Sequence, residues 1–433
     1  MWMSHPNLLF DARNVLGINE YSMGHYNGKP YRDMHQLRCK FITWVNGFMQ
    51  LRRQGPKIDL FATHFYLGKE SKCHLDQWIN SAVIKGVEKI DLDLSELFCS
   101  KLFQNFSIAS ENYEFPYWLL ATQGRRATVR LLRLASCNLR PHCCLKGLTS
   151  LIILELKDAN ISDEQVDNIL SNCSLLEELN LHMCKDLVNL SIVGPSLKSL
   201  RIQDCFRLEK IEIRSINLVM VEYIGHSVRF SFKNVPQLAD VFMNFTGEER
   251  LVGVTYALTR LANDLPQLDS LNLLTILAMK MLKLPENIPT TTNLKKLVLT
   301  VYPFQDEDNL QWISFILKAF PLLQKLQLNL FSPNYIKERK EIQRLLLECP
   351  HKHLEEVEIN GFYGNQHEIE LLKYVLDNVV SLKELVIDPC QKVHRGCNTW
   401  VYQCESSWYK SRLENAREWL HKEVPPTIQL EFR

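Results

Sequence analysis

Along the chain, apolar residues recur in one short pattern. An apolar residue is followed by two others, a second apolar residue, one more, and a third apolar residue. The pattern stands at Val87/Ile90/Leu92, Val129/Leu132/Leu134, Leu151/Leu154/Leu156, Leu176/Leu179/Leu181 and Leu197/Leu200/Ile202. A weaker form, Leu218/Val221/Tyr223, follows. It returns at Leu268/Leu271/Leu273, Leu294/Leu297/Leu299, Leu323/Leu326/Leu328, Leu354/Val357/Ile359 and Leu382/Leu385/Ile387. The last two apolar positions of each match are two residues apart, so they leave a strand on the same side. The first, three residues earlier, enters the core at the turn into that strand.

From Val129 to Leu218 the matches begin 22, 25, 21 and 21 residues apart, and from Leu268 to Leu382 they begin 26, 29, 31 and 28 apart. Steps of that size fit leucine-rich repeats. One repeat cannot bury these residues alone, so neighbours stack. The expected fold is α/β: a right-handed leucine-rich-repeat solenoid, with a parallel β-sheet on the concave face and helices on the convex face. Helical stretches are expected at 164–170, 310–320 and 368–379. In the last, Ile369, Leu372, Val375, Leu376 and Val379 form the stripe that packs on a sheet. Stripes at Leu37/Phe41/Trp44/Val45/Phe48 and Leu75/Trp78/Ile79/Ala82/Val83 predict a helical N-terminal cap. Near the other end, Trp408, Ala416, Trp419 and Leu420 suggest a helix stopped by Pro425-Pro426. Alternating Ile428, Leu430 and Phe432 then predict a last strand.

Composition agrees with a repeat: 68 of the 433 residues are leucine, and glycine is sparse at 16. Lys+Arg is 50 and Asp+Glu 49, a formal net charge of +1 that argues against nucleic acid or an anionic membrane as partner. No apolar stretch reaches the about 20 residues a bilayer requires. The start, MWMSHPNLLFDAR, lacks the cationic opening and long apolar run of a secretory signal. Thirteen cysteines, an odd number, read best as free thiols in a reducing compartment, cytoplasmic or nuclear.

Both ends of the chain carry a family resemblance. Trp2-Met-Ser-His-Pro-Asn-Leu-Leu-Phe10-Asp11 resembles the segment just after the F-box in plant F-box/FBD/leucine-rich-repeat proteins. Gly55-Pro56-Lys57-Ile58, Asp76-Gln-Trp78-Ile79 and Gly86-Val87-Glu-Lys-Ile90 continue the likeness. The run from Leu354 through Gly361-Phe362-Tyr363-Gly364, with Leu382-Lys-Glu-Leu-Val-Ile-Asp-Pro389, is similar to the FBD region that closes such proteins. The expected organisation is a post-F-box linker, N-terminal cap and first atypical repeats over 1–125, leucine-rich repeats over 126–340, and an FBD-like C-terminal cap over 341–433. The F-box that would precede Trp2 in the family is missing from the chain. The resemblance implies the substrate-recognition part of a Skp–cullin–F-box ubiquitin ligase subunit, with a protein substrate of unknown identity as partner. A Skp-type adaptor is expected only where an F-box lies upstream. The alternative is a stand-alone interaction scaffold, or a competitor of the full-length protein.

Motif chemistry points away from an enzyme. Gly24-His-Tyr-Asn-Gly28-Lys29-Pro30 is one residue short between its glycines for a phosphate loop, and Pro stands where Ser or Thr would bind magnesium. His367-Glu368 lacks the second histidine of a zinc protease. Cys390/His394/Cys397/Cys404 and Cys349/His351/His353 have ligand types suited to zinc, but no defensible knuckle spacing, so no metal or cofactor is expected. What remains is the row of residues between the core positions of each strand. It includes Arg130, Arg133, Glu155, Lys157, Asn180, His182, Arg201, Gln203, Asn272, Lys296, Gln327, Asn329 and Glu358. The row is polar and carries both signs of charge, which suits a protein or peptide partner better than a phosphate backbone.

Overall fold

The computed structural model describes residues 5–17, 25–26, 29–30, 34–95, 112–120, 127–139, 148–278, 293–302, 311–331, 350–394, 399–403 and 410–433. Two compact units make up the chain, one of residues 1–218 and 229–235, the other of 219–228 and 236–433. In the first, strands Asn7–Asp11, Leu60–His64, Lys89–Asp93, Leu131–Ala135, Ile153–Lys157, Glu178–His182 and Ser199–Gln203 lie side by side in a parallel sheet. In the second, the order is Met220–Gly225, Asp240–Phe245, Ser270–Ala278, Lys296–Tyr302, Lys325–Leu330, Glu356–Asn360, Glu384–Asp388 and Gln429–Phe432, again parallel. This is an α/β leucine-rich-repeat fold.

Register explains why the repeats hold together. Ile90, Leu132, Leu154, Leu179 and Leu200 are consecutive partners across the first sheet, and so are Leu92, Leu134, Leu156, Leu181 and Ile202. All ten are at most 1% exposed. Each repeat therefore adds two side chains to a continuous apolar ladder, worth about 1.5–3 kcal/mol apiece. The strand entrances are joined by the backbone: Ile152 N donates to Arg130 O, Glu177 N to Ile152 O and Lys198 N to Glu177 O, each at 2.8 Å. At the exits, Ser136, Asp158, Met183 and Asp204 take positive φ of 53, 48, 54 and 51°. Aspartate tolerates that conformation; for Met183 the crowding of Cβ against the backbone costs about 1–2 kcal/mol. The residues that follow, Cys137, Ala159, Cys184 and Cys205, turn inward and are buried.

The return segments differ with repeat length. The 25-residue step after Leu151 holds helix Asp163–Asn172, started by a reciprocal cap in which Gln165 N donates to Ser162 Oγ and Ser162 N to Gln165 Oε1. The 21-residue steps after Leu176 and Leu197 leave too little chain for such a helix. There the expectation of helices on the far side is corrected. Asn189–Ile192, Lys210–Ile213 and Arg229–Phe232 form a second, three-stranded parallel sheet instead. Their Leu190/Ile192 and Ile211/Ile213 pairs alternate inward and are at most 1% exposed.

Helices Met34–Leu51 and Lys72–Ile84 form where the apolar stripes place them, with Phe41, Val45, Leu75, Trp78 and Ile79 buried. In the second unit, helices Arg250–Thr259, Gln311–Ala319, Gln366–Asn378 and Lys410–Glu423 are described. The last strand pairs Leu430 with Leu385 and Phe432 with Ile387. Trp408 lies outside the described residues. At Gly361 (φ +76°) a Cβ would stand 2.3 Å from Leu330 O, so only glycine fits this turn between strand and helix.

Candidate interaction surface

Residues between the core positions point to the opposite side of each sheet. In the first unit they form two adjacent rows. Register lines up Asp91, Arg133, Glu155, Asn180 and Arg201, and beside them Lys157, His182 and Gln203. The first row is cross-linked. Arg133 Nε donates to Glu155 Oε2 at 2.6 Å, while Arg133 Nη1 lies 3.8 Å from Asp91 Oδ2. Asn180 Nδ2 donates to Glu155 Oε1 at 3.0 Å, and Arg201 Nη1 donates to Asn180 Oδ1 at 3.4 Å. In the second row Gln203 Nε2 donates to Asp204 Oδ2 at 3.3 Å, and His182 Nε2 lies 3.7 Å from the same oxygen. Arg133 keeps 45% of its side chain exposed and Glu155 32%, so the groups are held in place yet reachable.

Two histidines on this face are tuned in opposite directions. The Asp91 carboxylate, 3.4 Å from His64 Nε2, holds the His64 imidazole above its ordinary value. Burial, the largest influence on His182, pushes that imidazole below it. His64 and Asp204 belong to the same surface but escaped the sequence pattern, whereas Asp91, between Ile90 and Leu92 of the first match, follows from it. His64 sits in a strand whose last core position is Thr63 instead of an aliphatic residue. Arg130 is exposed but precedes the strand Leu131–Ala135, so it stands at the entrance rather than in the rows.

The second unit presents a different face. Asn272 registers between Phe242 and Val298, and that row continues through Gln327 and Glu358. Several outward positions are buried and apolar: Phe242 6%, Leu274 7% and Val298 3% exposed. Gln327 and Asn329, expected on an open row, are 4% and 0% exposed. They spend their polar groups on one another. Gln327 Nε2 donates to Asn329 Oδ1 at 3.0 Å, Asn329 Nδ2 to Thr300 Oγ1 at 3.1 Å, and Asn360 Nδ2 to Asn329 Oδ1 at 2.9 Å. Lys296 remains exposed at the start of its strand.

The cover is the chain's own antiparallel hairpin, Gln391–His394 with Trp400–Gln403. His394 packs on Phe242 with ring centroids 4.1 Å apart and on Trp400 at 4.9 Å. Lys392 Nζ reaches Glu358 Oε1 at 3.3 Å and lies 5.1 Å from the Trp400 ring centre and 5.7 Å from that of Tyr402. Burial pushes the Glu358 carboxyl up. The Asn360 hydrogen bond and the charges of Lys392 and Lys325 outweigh that and hold it below its ordinary value.

Both zinc-like clusters have other occupations. Cys390 is disulfide-bonded, which departs from the expectation of free thiols throughout, and His394 is engaged in the ring contacts above. His351 Nε2 donates to Phe320 O at 2.9 Å, and its Nδ1 accepts from Leu354 N at 3.1 Å, which fixes the tautomer in a structural role. Cys349, Cys397 and Cys404 lie outside the described residues. Among the described residues no group of three or more His, Cys, Asp or Glu is placed to hold a metal, and no helix is long and apolar enough to cross a membrane.

Residues 55–433 match a family model described as At1g61320/AtMIF1, LRR domain. Similar proteins come from Arabidopsis thaliana. An F-box/LRR-repeat protein, At3g03360, is 27% identical over 183 residues, 41% of this chain and 34% of its own length. A putative FBD-associated F-box protein, At1g61330, is 25% identical over 81% of this chain and 78% of its own length. The F-box/FBD/LRR-repeat protein At1g13570 is 23% identical over 89% and 82% respectively. The match thus spans about a third of the first of these relatives and over three quarters of the other two.

Proposed function

The chain belongs to the family of the At1g61320/AtMIF1 leucine-rich-repeat domain, and from that premise we propose that it is the protein-binding, substrate-recognition part of an F-box-type subunit of a Skp–cullin–F-box ubiquitin ligase. Its work is non-catalytic. It holds a target protein and lends proximity, while ubiquitin transfer takes place on other subunits.

The observation that carries this reading is the open face of the first unit. Arg133, Glu155, Asn180 and Arg201 form a polar lattice of both charge signs on a sheet, braced by hydrogen bonds before any partner arrives, with Lys157, His182 and Gln203 in the row beside it. Pre-ordered side chains lose less entropy on binding, and a surface carrying both signs of charge selects a complementary protein surface. The second unit's face contributes less, since its hairpin already occupies it.

The test is affinity capture from plant extract with the whole chain, followed by capture with R133E/R201E and with E164K on helix Asp163–Asn172. A specific partner is expected to be lost with R133E/R201E, retained with E164K, and to gain ubiquitin in the presence of the full-length ligase subunit. A partner retained by the sheet-face variant and lost by the helix variant would refute the assignment.

A further inference from the structure

On the helical side of the first unit, helices Met34–Leu51 and Lys72–Ile84 end beside one another in a cluster of cations. Arg52 and Arg53 follow the first helix and Lys85 follows the second. Arg52 is 1% exposed, yet none of its three guanidinium nitrogens has a hydrogen-bond partner among the described residues. Buried guanidinium groups are ordinarily paired, because an unpaired buried charge forfeits its hydration without return. Burial accordingly pushes Arg52 below its ordinary value.

Among the described residues the neighbourhood offers Arg52 no free counter-charge. The carbonyls at the helix ends already accept from backbone amides: Phe48 O from Arg52 N, Gln50 O from Arg53 N, and Val83 O from Gly86 N. The nearby carboxylates of Asp59 and Glu88 are taken by Lys57, at 3.0 and 2.6 Å. A cavity of about 200 Å³ opens beside Arg52, walled by Arg53, Lys85, Ser81, Met49 and Ile84. No carboxylate is among the residues that line it. Lys85 is held in position by donating to Gly55 O at 2.8 Å. Gly55 also makes room for the arginine, since a Cβ there would stand 2.7 Å from Arg52 Cγ.

We propose that this cavity binds a small soluble oxyanion of the phosphate class, received by the Arg52 guanidinium with Arg53 and Lys85 beside it. A guanidinium offers paired donors that match two oxygens of one phosphate. Three cations with no acid in the lining favour a dianion over a single carboxylate. Ile84, 55% exposed, and the exposed Arg53 stand at the solvent side of the cavity, where an incoming anion first meets it. The site is separate from the sheet face proposed for the protein partner, because it is built from the ends of helices Met34–Leu51 and Lys72–Ile84 and the residues that follow them.

The test uses the full chain and inorganic phosphate, titrated against chloride at matched ionic strength, with the thermal midpoint as readout. A saturable rise in Tm is expected for the native chain. Arg52→Met should weaken the apparent affinity at least about tenfold. Without phosphate, Arg52→Met should melt no lower than the native chain, which separates loss of binding from loss of folding. No phosphate-specific shift, or a shift unchanged in Arg52→Met, overturns the proposal. A second arm sediments the chain with phosphatidylcholine vesicles containing phosphatidic acid. No Arg52-dependent sedimentation is expected; such sedimentation without any effect of soluble phosphate would overturn the soluble ligand.

Discussion

Replacing Lys392 by Met should free the hairpin of the second unit from its sheet. Lys392 Nζ and Glu358 Oε1 are 3.3 Å apart, with side chains only 15% and 12% exposed. At an effective dielectric of about 20, charges at that distance attract by roughly 5 kcal/mol before desolvation is subtracted. What survives as pairwise coupling is about 1–3 kcal/mol. The single substitution should cost more, about 3–5 kcal/mol, because it leaves the Glu358 carboxylate buried without its cation. It also removes the charge stacked on Trp400 and Tyr402. Glu358→Gln keeps an oxygen for Asn360 Nδ2 and should cost less. Repeat proteins need not unfold in one step, so the suitable assay is native-state hydrogen exchange of residues 391–403. The cycle requires the native chain, both single variants and the double variant. A coupling energy below about 0.5 kcal/mol would refute the reasoning. Acidity supplies a second check. Because the folded Glu358 carboxyl lies below its ordinary value, its contribution is complete above the unfolded value of about 4.3 and is lost as pH falls through the lower, folded value. Lys392→Met should shift that loss to higher pH.

Leu179, 1% exposed in the ladder of the first sheet, should cost about 2–5 kcal/mol when cut to Ala, whereas Leu175→Ala, at a residue 54% exposed, should stay within about 0.5 kcal/mol, both by thermal unfolding. Gly361→Ala should destabilise by more than about 1 kcal/mol, since both its φ and the Leu330 carbonyl oppose a Cβ; an unchanged Tm would show that the turn can relax. His64, raised by Asp91, contributes stability that is complete below its unfolded value of about 6.5 and is lost as pH rises through the higher, folded value. NMR titration should find Asp91→Asn returning His64 toward that unfolded value while leaving His182 low.

Every motif match of the L-x-x-L-x-L kind coincides with a strand of the two sheets, because the period-two inward pair is a local property that stacking only amplifies. The strands that escaped the pattern carry substitutes at its inward positions. Asp240–Phe245 uses Val241 and Met243, and Leu60–His64 ends its inward set on Thr63. The return strands of the short repeats were hidden for another reason: Leu190/Ile192 and Ile211/Ile213 alternate in runs of four residues, beneath the length at which strand and loop separate on pattern alone. On the first unit's face, the outward rows follow directly from strand register. The covered face of the second was illegible from its strands, since Gln327, Asn329 and Glu358 are as polar as their counterparts in the first. A signal did exist. Phe242, Leu274 and Val298 are apolar at outward positions, and Trp400 and Tyr402 alternate on a segment that belongs to no repeat.

Repeats in the first unit hand over to one another through main-chain atoms, from Arg130 O through Ile152 and Glu177 to Lys198. Peptide groups are the same in every amino acid but proline, so these joints are blind to what the outward side chains spell. Arg133, Asn180 or Arg201 could be exchanged for other residues with the strands still in step. Such a surface can acquire a new target in few mutational moves, without passing through an unfolded ancestor. The second unit has surrendered that freedom. Its outward letters are read by its own hairpin, so any change there must be answered within the same molecule.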